Sequence, residues 1–473
     1  MAIIDKDQPL SEEGMIYAPW QRRFSRILTP IEEFISDESA SSVLLVAATI
    51  LALFLANHSA FSQIYQQILQ APLSLTLCSW GISMSLHHWV NDALMAIFFF
   101  VVGLELKREI LVGELSNIRQ ASLPVIAALG GMLVPALIYA IFNPSGIEAR
   151  GWGVPMATDI AFAVGVLILL GDRIPKSLIT FLIALAIADD LGAVLVIALF
   201  YTDQIAINWL IISALFFGLL ITINFSGVRQ VAPYFAVAVL LWYAMLQSGV
   251  HATLAGVLGA LTVPMRAKYK PALFIKRISQ QIAEFSHINQ NDKTSISNSK
   301  PSLNHKSLVI NEKLQNIAKS LEDTVIGVQA PLQRLEQFWH VPVAFFIIPA
   351  FALFNAGITI KLATFASTLL EPVLIGDSLG LLAGKFIGIT GACAIALKFN
   401  LGQLPNNVRF SQIAAVSLVA GIGFTMSIFI AELAFENHAQ QLLLAKTGVI
   451  LGSLVSGLLG FCWLWVLGRN VKK

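Results

Sequence analysis

The chain has 473 residues, 56% of them hydrophobic and only 12% charged, with a mean hydropathy of +0.75. Soluble domains carry about 25% charged residues, so this composition excludes a soluble globular protein and indicates an integral membrane protein. The net charge of +2 matters only through where the positive residues sit, and Cys78, Cys393 and Cys462 are too far apart for metal or disulfide spacing.

Residues 1–40 are polar and of mixed charge, without the early apolar core of a cleavable signal peptide, so the first span is expected to act as an uncleaved signal. Arg22, Arg23 and Arg26 alternate with Phe24, Ile27 and Leu28, an amphipathic segment suited to the inner membrane surface. Twelve apolar runs follow, at 41–57, 88–105, 121–142, 152–170, 177–201, 206–224, 232–247, 249–265, 341–360, 373–397, 411–435 and 441–467. The split near Gln247–Gly249 is the least marked boundary. With the N-terminus inside, only Arg150 and Lys361 of the 30 Lys and Arg fall on outside segments, and Lys385 and Lys446 fall within spans. That alternation follows the positive-inside rule and predicts two cytoplasmic termini. Five regions result: an N-terminal segment 1–40, spans one to eight over 41–265, a cytoplasmic insert 266–340, spans nine to twelve over 341–467 and a tail 468–473.

Between the first two spans, Leu73 to Leu86 alternates with period two about Trp80-Gly81 and reads as an extracytoplasmic β-hairpin. A lone hairpin is marginal and its edges are open; pairing with a second copy and folding back on its own loop are both consistent with it. In the insert, 267–335 is polar, with a centre near Ser286–Lys300 that reads as disordered between short amphipathic helices around 273–285 and 309–321.

The fourth span carries Gly151-Trp-Gly153-Val-Pro155-Met-Ala-Thr158-Asp159, and the eleventh Gly421-Ile-Gly423-Phe-Thr425-Met-Ser427. Gly, Pro, hydroxyls and an acid in mid-span predict interrupted helices. The charge alternation gives these spans opposite directions, so spans three to five and ten to twelve form inverted repeats whose broken helices meet at a transport site. The fold class is therefore an all-α polytopic membrane protein: twelve transmembrane helices, inverted repeats, crossed discontinuous helices at spans four and eleven, and the small hairpin.

The fifth span holds Asp189 and Asp190 side by side in an apolar run. Each acid near the middle of a span costs about 2.5–3.5 kcal/mol on insertion scales, and the two repel, so cations or protons are expected to pass there. Adjacent helical residues differ by about 100° in direction; one acid can face a cation while the other turns to Lys385 of span ten. Lys385 either serves the site or snorkels, with about twelve residues of span on either side against the second. Asp159 is placed to neutralise the positive ends of broken helices. Glu105, Lys107, Arg108 and Glu109 close span two, by spacing alone a salt-bridged helix end, and His251 reads either as a satisfied structural histidine or as a ligand.

These residues and their surroundings resemble the NhaA family of bacterial sodium/proton antiporters. The resemblance is carried by Asn91-Asp92-Ala-Leu-Met, Gly103-Leu-Glu105-Leu-Lys-Arg108-Glu109, Ala157-Thr158-Asp159, Ala188-Asp189-Asp190-Leu-Gly, Ser248-Gly-Val-His251-Ala-Thr, Phe354-Asn355-Ala-Gly357, Gly384-Lys385 and Gly421-Ile-Gly423-Phe-Thr425-Met-Ser. It covers nearly all of the membrane part, and departs in the longer cytoplasmic insert. It implies a bacterial inner-membrane protein, a homodimer through the 73–86 hairpin, no cofactor, and exchange of cytoplasmic sodium or lithium for external protons, electrogenic and pH-activated. Carried over, Asp190 is the principal cation ligand, Asp189 its proton-carrying neighbour and Lys385 the partner of Asp189. Thr158 and Asp159 fall on the broken helix, and Asp92 on an acid of the cytoplasmic funnel or dimer region. Glu105, Arg108, Glu109, Glu336 and His340 fall where the family keeps a pH-responsive cluster, with Gln337 where a second histidine is expected. Two rival readings compete with this one: an intramembrane aspartyl protease, whose Gly-x-Gly-Asp motif is missing, and a sodium-coupled organic-anion transporter of the same architecture, which Lys385 alone favours.

Overall fold

A computed structural model describes residues 38–77, 80–202, 205–296, 305–359 and 365–469. The N-terminal amphipathic segment and the tail beyond Arg469 lie outside these residues. Helices α1 (Glu38–Asn57) and α2 (Ser62–Gln70) precede an antiparallel pair, β1 (Pro72–Leu77) and β2 (Trp80–Ser85). Leu73 pairs with Met84 and Leu77 with Trp80, so Trp80 and Gly81 belong to the second strand rather than to the turn. The alternation of apolar residues fixes this register, because a one-residue slip would turn every side chain to the other face.

The described chain then continues as α3 (Leu86–Leu111), α4 (Ile118–Phe142), a 3₁₀ stretch Glu148–Met156 leading to α5 (Ile160–Leu170), α6 (Lys176–Phe200), α7 (Ile207–Phe225) and α8 (Val231–Ser248). After α9 (Leu254–Thr262) come the insert helices α10 (Pro271–Ile296) and α11 (His305–Val328), then α12 (Pro331–Asn355), α13 (Pro372–Lys398), α14 (Phe410–Val419), α15 (Phe424–Ala434) and α16 (Ala439–Arg469). Among the described residues ten helices are long and apolar enough to cross a membrane, and α14 with α15 makes an eleventh, bent by 49°. The protein is thus a multi-pass, mostly helical membrane protein with one small two-stranded sheet. Helix α9, where an eighth span is expected, is nine residues long and too short to be counted by itself, although nearly all of it is buried. The boundary at Gln247–Gly249 is real: α8 stops at Ser248 because Gly249 adopts the left-handed conformation (φ 80°) that glycine tolerates.

Side chains such as Ile141, Leu199, Leu215 and Phe225 point outward although large and apolar, as expected where the solvent is hydrocarbon. Inside, small residues let helices approach closely. Gly130 of α4 and Gly388 of α13 are reciprocal: a Cβ on either would collide with the other's carbonyl oxygen. This contact fixes α13 against α4 and so sets the depth of Lys385.

The insert differs from its expected form. Helix α10 runs to Ile296, through part of the stretch that reads as disordered, and the remainder, 297–304, lies outside the described residues. It is tied to α11 by Gln281 Nε2 donating to Ser320 Oγ at 2.6 Å, while Lys268 and Tyr269 donate their backbone N–H to Gly327 O. The ninth span also begins earlier than 341: Ala330 is extended, Pro331 starts a helix that continues to Asn355, and Glu336 and His340 therefore ride on that helix rather than in the insert. A proline at the first turn forfeits no helical hydrogen bond, which is why Pro331 can open it.

Candidate cation site

The 3₁₀ stretch ends at Met156, and Ala157 to Asp159 leave the helix before α5 begins. In the other broken element, Ala420 to Gly423 separate α14 from α15. The two gaps lie against each other. The Asp159 N–H donates to Ile422 O at 2.7 Å, and Thr158 Oγ1 lies 2.9 Å from Ala420 O. A carbonyl of one break thus finds a backbone donor on the other, and the single Thr158 hydroxyl proton has Ala420 O and Asp189 Oδ2 as alternative acceptors.

Asp159 serves two helix N-termini at once. Its Oδ1 accepts from Phe162 N at 3.1 Å in the first turn of α5, and its Oδ2 accepts from Thr425 N at 2.9 Å and Thr425 Oγ1 at 2.5 Å in the first turn of α15. One buried carboxylate balances two positive helix ends, the arrangement that the sequence suggests for this residue.

Asp189 and Asp190 stand halfway along α6, both buried. Their side chains diverge. Asp189 Oδ2 forms an ion pair with Lys385 Nζ and lies 2.8 Å from Thr158 Oγ1. Lys385 is completely buried, so it does not snorkel. Asp189 Oδ1 and both oxygens of Asp190 make no hydrogen bond among the described residues. Three carboxylate oxygens in the buried interior therefore offer hard donors without a partner among the described residues, a set that suits a small monovalent cation or protons. Thr158, Asp159, Asp189, Asp190 and Lys385 are thus brought together; Ser427, buried with its hydroxyl unpartnered among the described residues, belongs to the first turn of α15.

The second set forms a separate cluster. Arg108 Nη2 lies 3.2 Å from Glu109 Oε1, and Arg108 Nε lies 3.2 Å from Glu336 Oε1, joining α3 to α12. Glu105 is one turn back on α3, and the exposed His340 one turn on from Glu336. Lys107 acts elsewhere, for its ammonium donates to Leu261 O and Val263 O, each at 2.6 Å, and caps the C-terminus of α9. A cavity of about 600 Å³ is lined by Arg108, Glu109 and Gln120 together with Thr180, Ile183 and Ala184 of α6. Ala184 is five residues before Asp189, about 7.5 Å along the helix, so the cavity borders the part of α6 that precedes the acids.

Asp92 belongs to neither group. It sits at the hairpin end of α3, where its backbone carbonyl accepts from Trp242 Nε1 at 3.0 Å. Glu105 is thirteen residues and about 20 Å away at the other end of the helix, so of the two places expected for Asp92, the cytoplasmic funnel or the dimer region, it lies by the hairpin of the second. His251 donates Nε2–H to Tyr201 O at 2.9 Å, a histidine satisfied by the backbone. A network at the hairpin end escaped the sequence reading: Glu432 of α15 pairs with Lys446 of α16 and lies 3.4 Å from His87 Nε2. An acid and a base in adjacent spans, Glu432 and Lys446, were the available signal.

Similarity to known proteins agrees with this geometry. The Na+/H+ antiporter 1 family model matches residues 32–464. The chain is 49% identical over 454 residues to "Na(+)/H(+) antiporter NhaA 1" of Saccharophagus degradans, covering 96% of this chain and 95% of that protein. It is 44% identical to "Na(+)/H(+) antiporter NhaA" of Sulfurimonas denitrificans, over 97% of this chain and all of the relative, and 45% identical to the protein of that name from Dichelobacter nodosus, over 94% and 93%. This chain belongs to the Na+/H+ antiporter 1 family.

Proposed function

We propose that this protein is a secondary active antiporter that exports sodium or lithium in exchange for external protons. The observation that carries the reading is the buried pair Asp189–Asp190, with three carboxylate oxygens unpartnered among the described residues, set against two facing helix breaks and Lys385. Asp190 takes the cation, with Asp189 Oδ1 beside it. Asp189 Oδ2 is shared between Lys385 and Thr158, so cation entry that draws Asp189 away frees the lysine to lose a proton. Protons arriving from outside restore the pair and expel the cation. Competition for one set of oxygens couples the flows, because an empty, doubly charged site in a low dielectric is too costly to reorient. Two acids and one lysine allow more than one proton per cation. Transport is then electrogenic, driven at about 2.3 kcal/mol per charge per 100 mV.

The architecture that goes with this reading has twelve spans, α9 completing the eighth, with inverted repeats that cross at the two breaks; the reciprocal Gly130–Gly388 contact is what a two-fold relation between α4 and α13 gives. Both termini face the cytoplasm of a bacterial inner membrane. The Glu105, Arg108, Glu109, Glu336 and His340 cluster, on the cavity that reaches α6, sets the pH at which cations enter. A homodimer forms through β1 and β2, whose outer edges are the open backbone of a two-stranded sheet.

Asp190→Asn tests the site. In everted membrane vesicles, sodium-driven release of the pH gradient is abolished while the protein remains folded and inserted; exchange at the unsubstituted rate would overturn the assignment.

A further inference from the structure

Helix α13 carries a buried acid that the exchange site does not use. Asp377 is completely buried, and neither of its carboxylate oxygens makes a hydrogen bond among the described residues. No Lys or Arg among those residues pairs with it. It lies eight residues before Lys385, about 12 Å along the same helix. Between the two, Gly380–Gly384 forms a π-helical turn, a local widening that recurs at functional sites.

The walls around Asp377 come from the elements that make the exchange site. A Cβ on Gly448 of α16 would come 3.1 Å from Asp377 Cβ; one on Gly376 would come 2.7 Å from Asn143 Nδ2, just past the end of α4; one on Gly380 would meet Pro155 of the broken span at 2.7 Å. Asn143 gives its amide hydrogens to Tyr139 O and Pro372 O, and its Oδ1, like both Asp377 oxygens, is an acceptor with no donor among the described residues. An ionised Asp377 would be an unpaired charge with no donor to satisfy it, and a neutral carboxylic acid avoids that cost. The ionisable groups at this end of the elements packed around it are Tyr139, Tyr201, Glu148, Arg150 and Lys446; Arg119 of α4 and Cys462 and Arg469 of α16 stand toward the opposite ends of their helices. Tyr139 and Tyr201 are spent as donors to Glu148 O and Arg150 O, and Lys446 is spent on Glu432. Tyr201 closes the end of α6 opposite Thr180 and its hydroxyl accepts from Gly153 N, two residues before the Pro155 that Gly380 packs on, so Asp377 lies beyond the acids from the cavity of Arg108 and Glu109.

We propose that Asp377 is a proton-binding site on the outward route, a carboxylic acid that relays external protons to Asp189 and Asp190. The proposal rests on the antiport reading. When the outer half opens and admits water, the Asp377 O–H breaks and its proton passes through that water to an Asp189 or Asp190 oxygen, where an O–H forms as the cation leaves. External hydronium then re-forms the Asp377 O–H, so Asp377 ends unchanged and one proton has moved inward.

Asp377→Asn keeps the shape and removes the transferable proton. In right-side-out vesicles with the internal pH clamped, its sodium efflux should match the unsubstituted protein at acidic external pH and fall several-fold below it as external pH rises. Sodium binding to the purified protein should be unchanged, whereas Asp190→Asn loses both binding and exchange at every pH. An external-pH profile identical to the unsubstituted protein's would overturn the relay. Loss of sodium binding in Asp377→Asn would overturn it too, by making Asp377 a cation ligand. Should Asp377→Asn fail to fold, Asp377→Glu decides: it retains exchange with a displaced external-pH midpoint, and an undisplaced midpoint counts against the proposal. Exchange surviving in Asp190→Asn would instead sink the underlying site assignment and leave the Asp377 comparison readable.

Discussion

Asp159 shows how much one side chain can hold at the residue scale. Its two oxygens accept from Phe162 N, Thr425 N and Thr425 Oγ1, in the first turns of two different helices. Asp159→Ala leaves buried N–H groups unpaired, each at a cost of about 1–3 kcal/mol, so the melting temperature in detergent should drop and exchange should be lost with it. A variant of unchanged stability would show that water replaces the carboxylate. Lys385 and Asp189 make a stronger case. Removing one partner of a buried ion pair destabilises by about 3–5 kcal/mol because the other charge is left alone. Lys385→Leu should therefore be unstable at neutral pH and regain stability with Asp189→Asn added, a double-mutant cycle read by thermal melting. Independent effects of the two substitutions would show that they do not couple.

At the scale of elements, the separation of α4 and α13 is set by two glycines. A methyl at Gly388 would run into Gly130 O, a clash that no side-chain movement can relieve because the obstacle is backbone. Gly388→Ala should push α13 away, lift Lys385 off Asp189 and cut exchange, with overpacking costing about 1–3 kcal/mol of stability. Gly391→Ala on the same helix meets nothing within 4 Å and should be silent; equal effects of the two would show that the helix, and not the contact, is sensitive. The hairpin is the opposite case. Ser74 and Ser83 pair at 2.8 Å across the strands, and Trp89 Nε1 donates to Leu73 O. The strands pair with each other and carry no residue of the cation site, so deleting 73–84 should abolish dimers in crosslinking while monomers keep exchanging.

For the whole molecule, ligand binding and folding are linked. A cation that binds the folded Asp189–Asp190 site and not the unfolded chain stabilises by RT ln(1 + [L]/Kd), about 2.7 kcal/mol at a hundredfold excess over Kd. Sodium and lithium should raise the melting temperature of the purified protein and potassium should not, and Asp190→Asn should lose the response. In proteoliposomes, sodium-dependent exchange should generate a membrane potential, and its absence would mean one proton per cation.

Composition and pattern by themselves determined that the chain spans the membrane many times, where most of its spans lie, that spans four and eleven are broken, and that Asp189, Asp190 and Lys385 are anomalies of cost. They could do so because the bilayer allows few residue types in mid-span, so each exception is visible from one segment alone. Helix ends such as Pro331, and the length of α10, were less legible, since polar helices outside the membrane depend on what they pack against. Only the tertiary structure decided which exceptions meet. The same apolar surroundings predict nothing of whether Lys385 turns to Asp189 or Asp190, which N–H groups Asp159 accepts from, or that Asp92 lies about 20 Å from Glu105. Those answers follow from the close approach of Gly130 to Gly388 and of Asp159 to Ile422, contacts between residues more than 250 positions apart that no local pattern encodes.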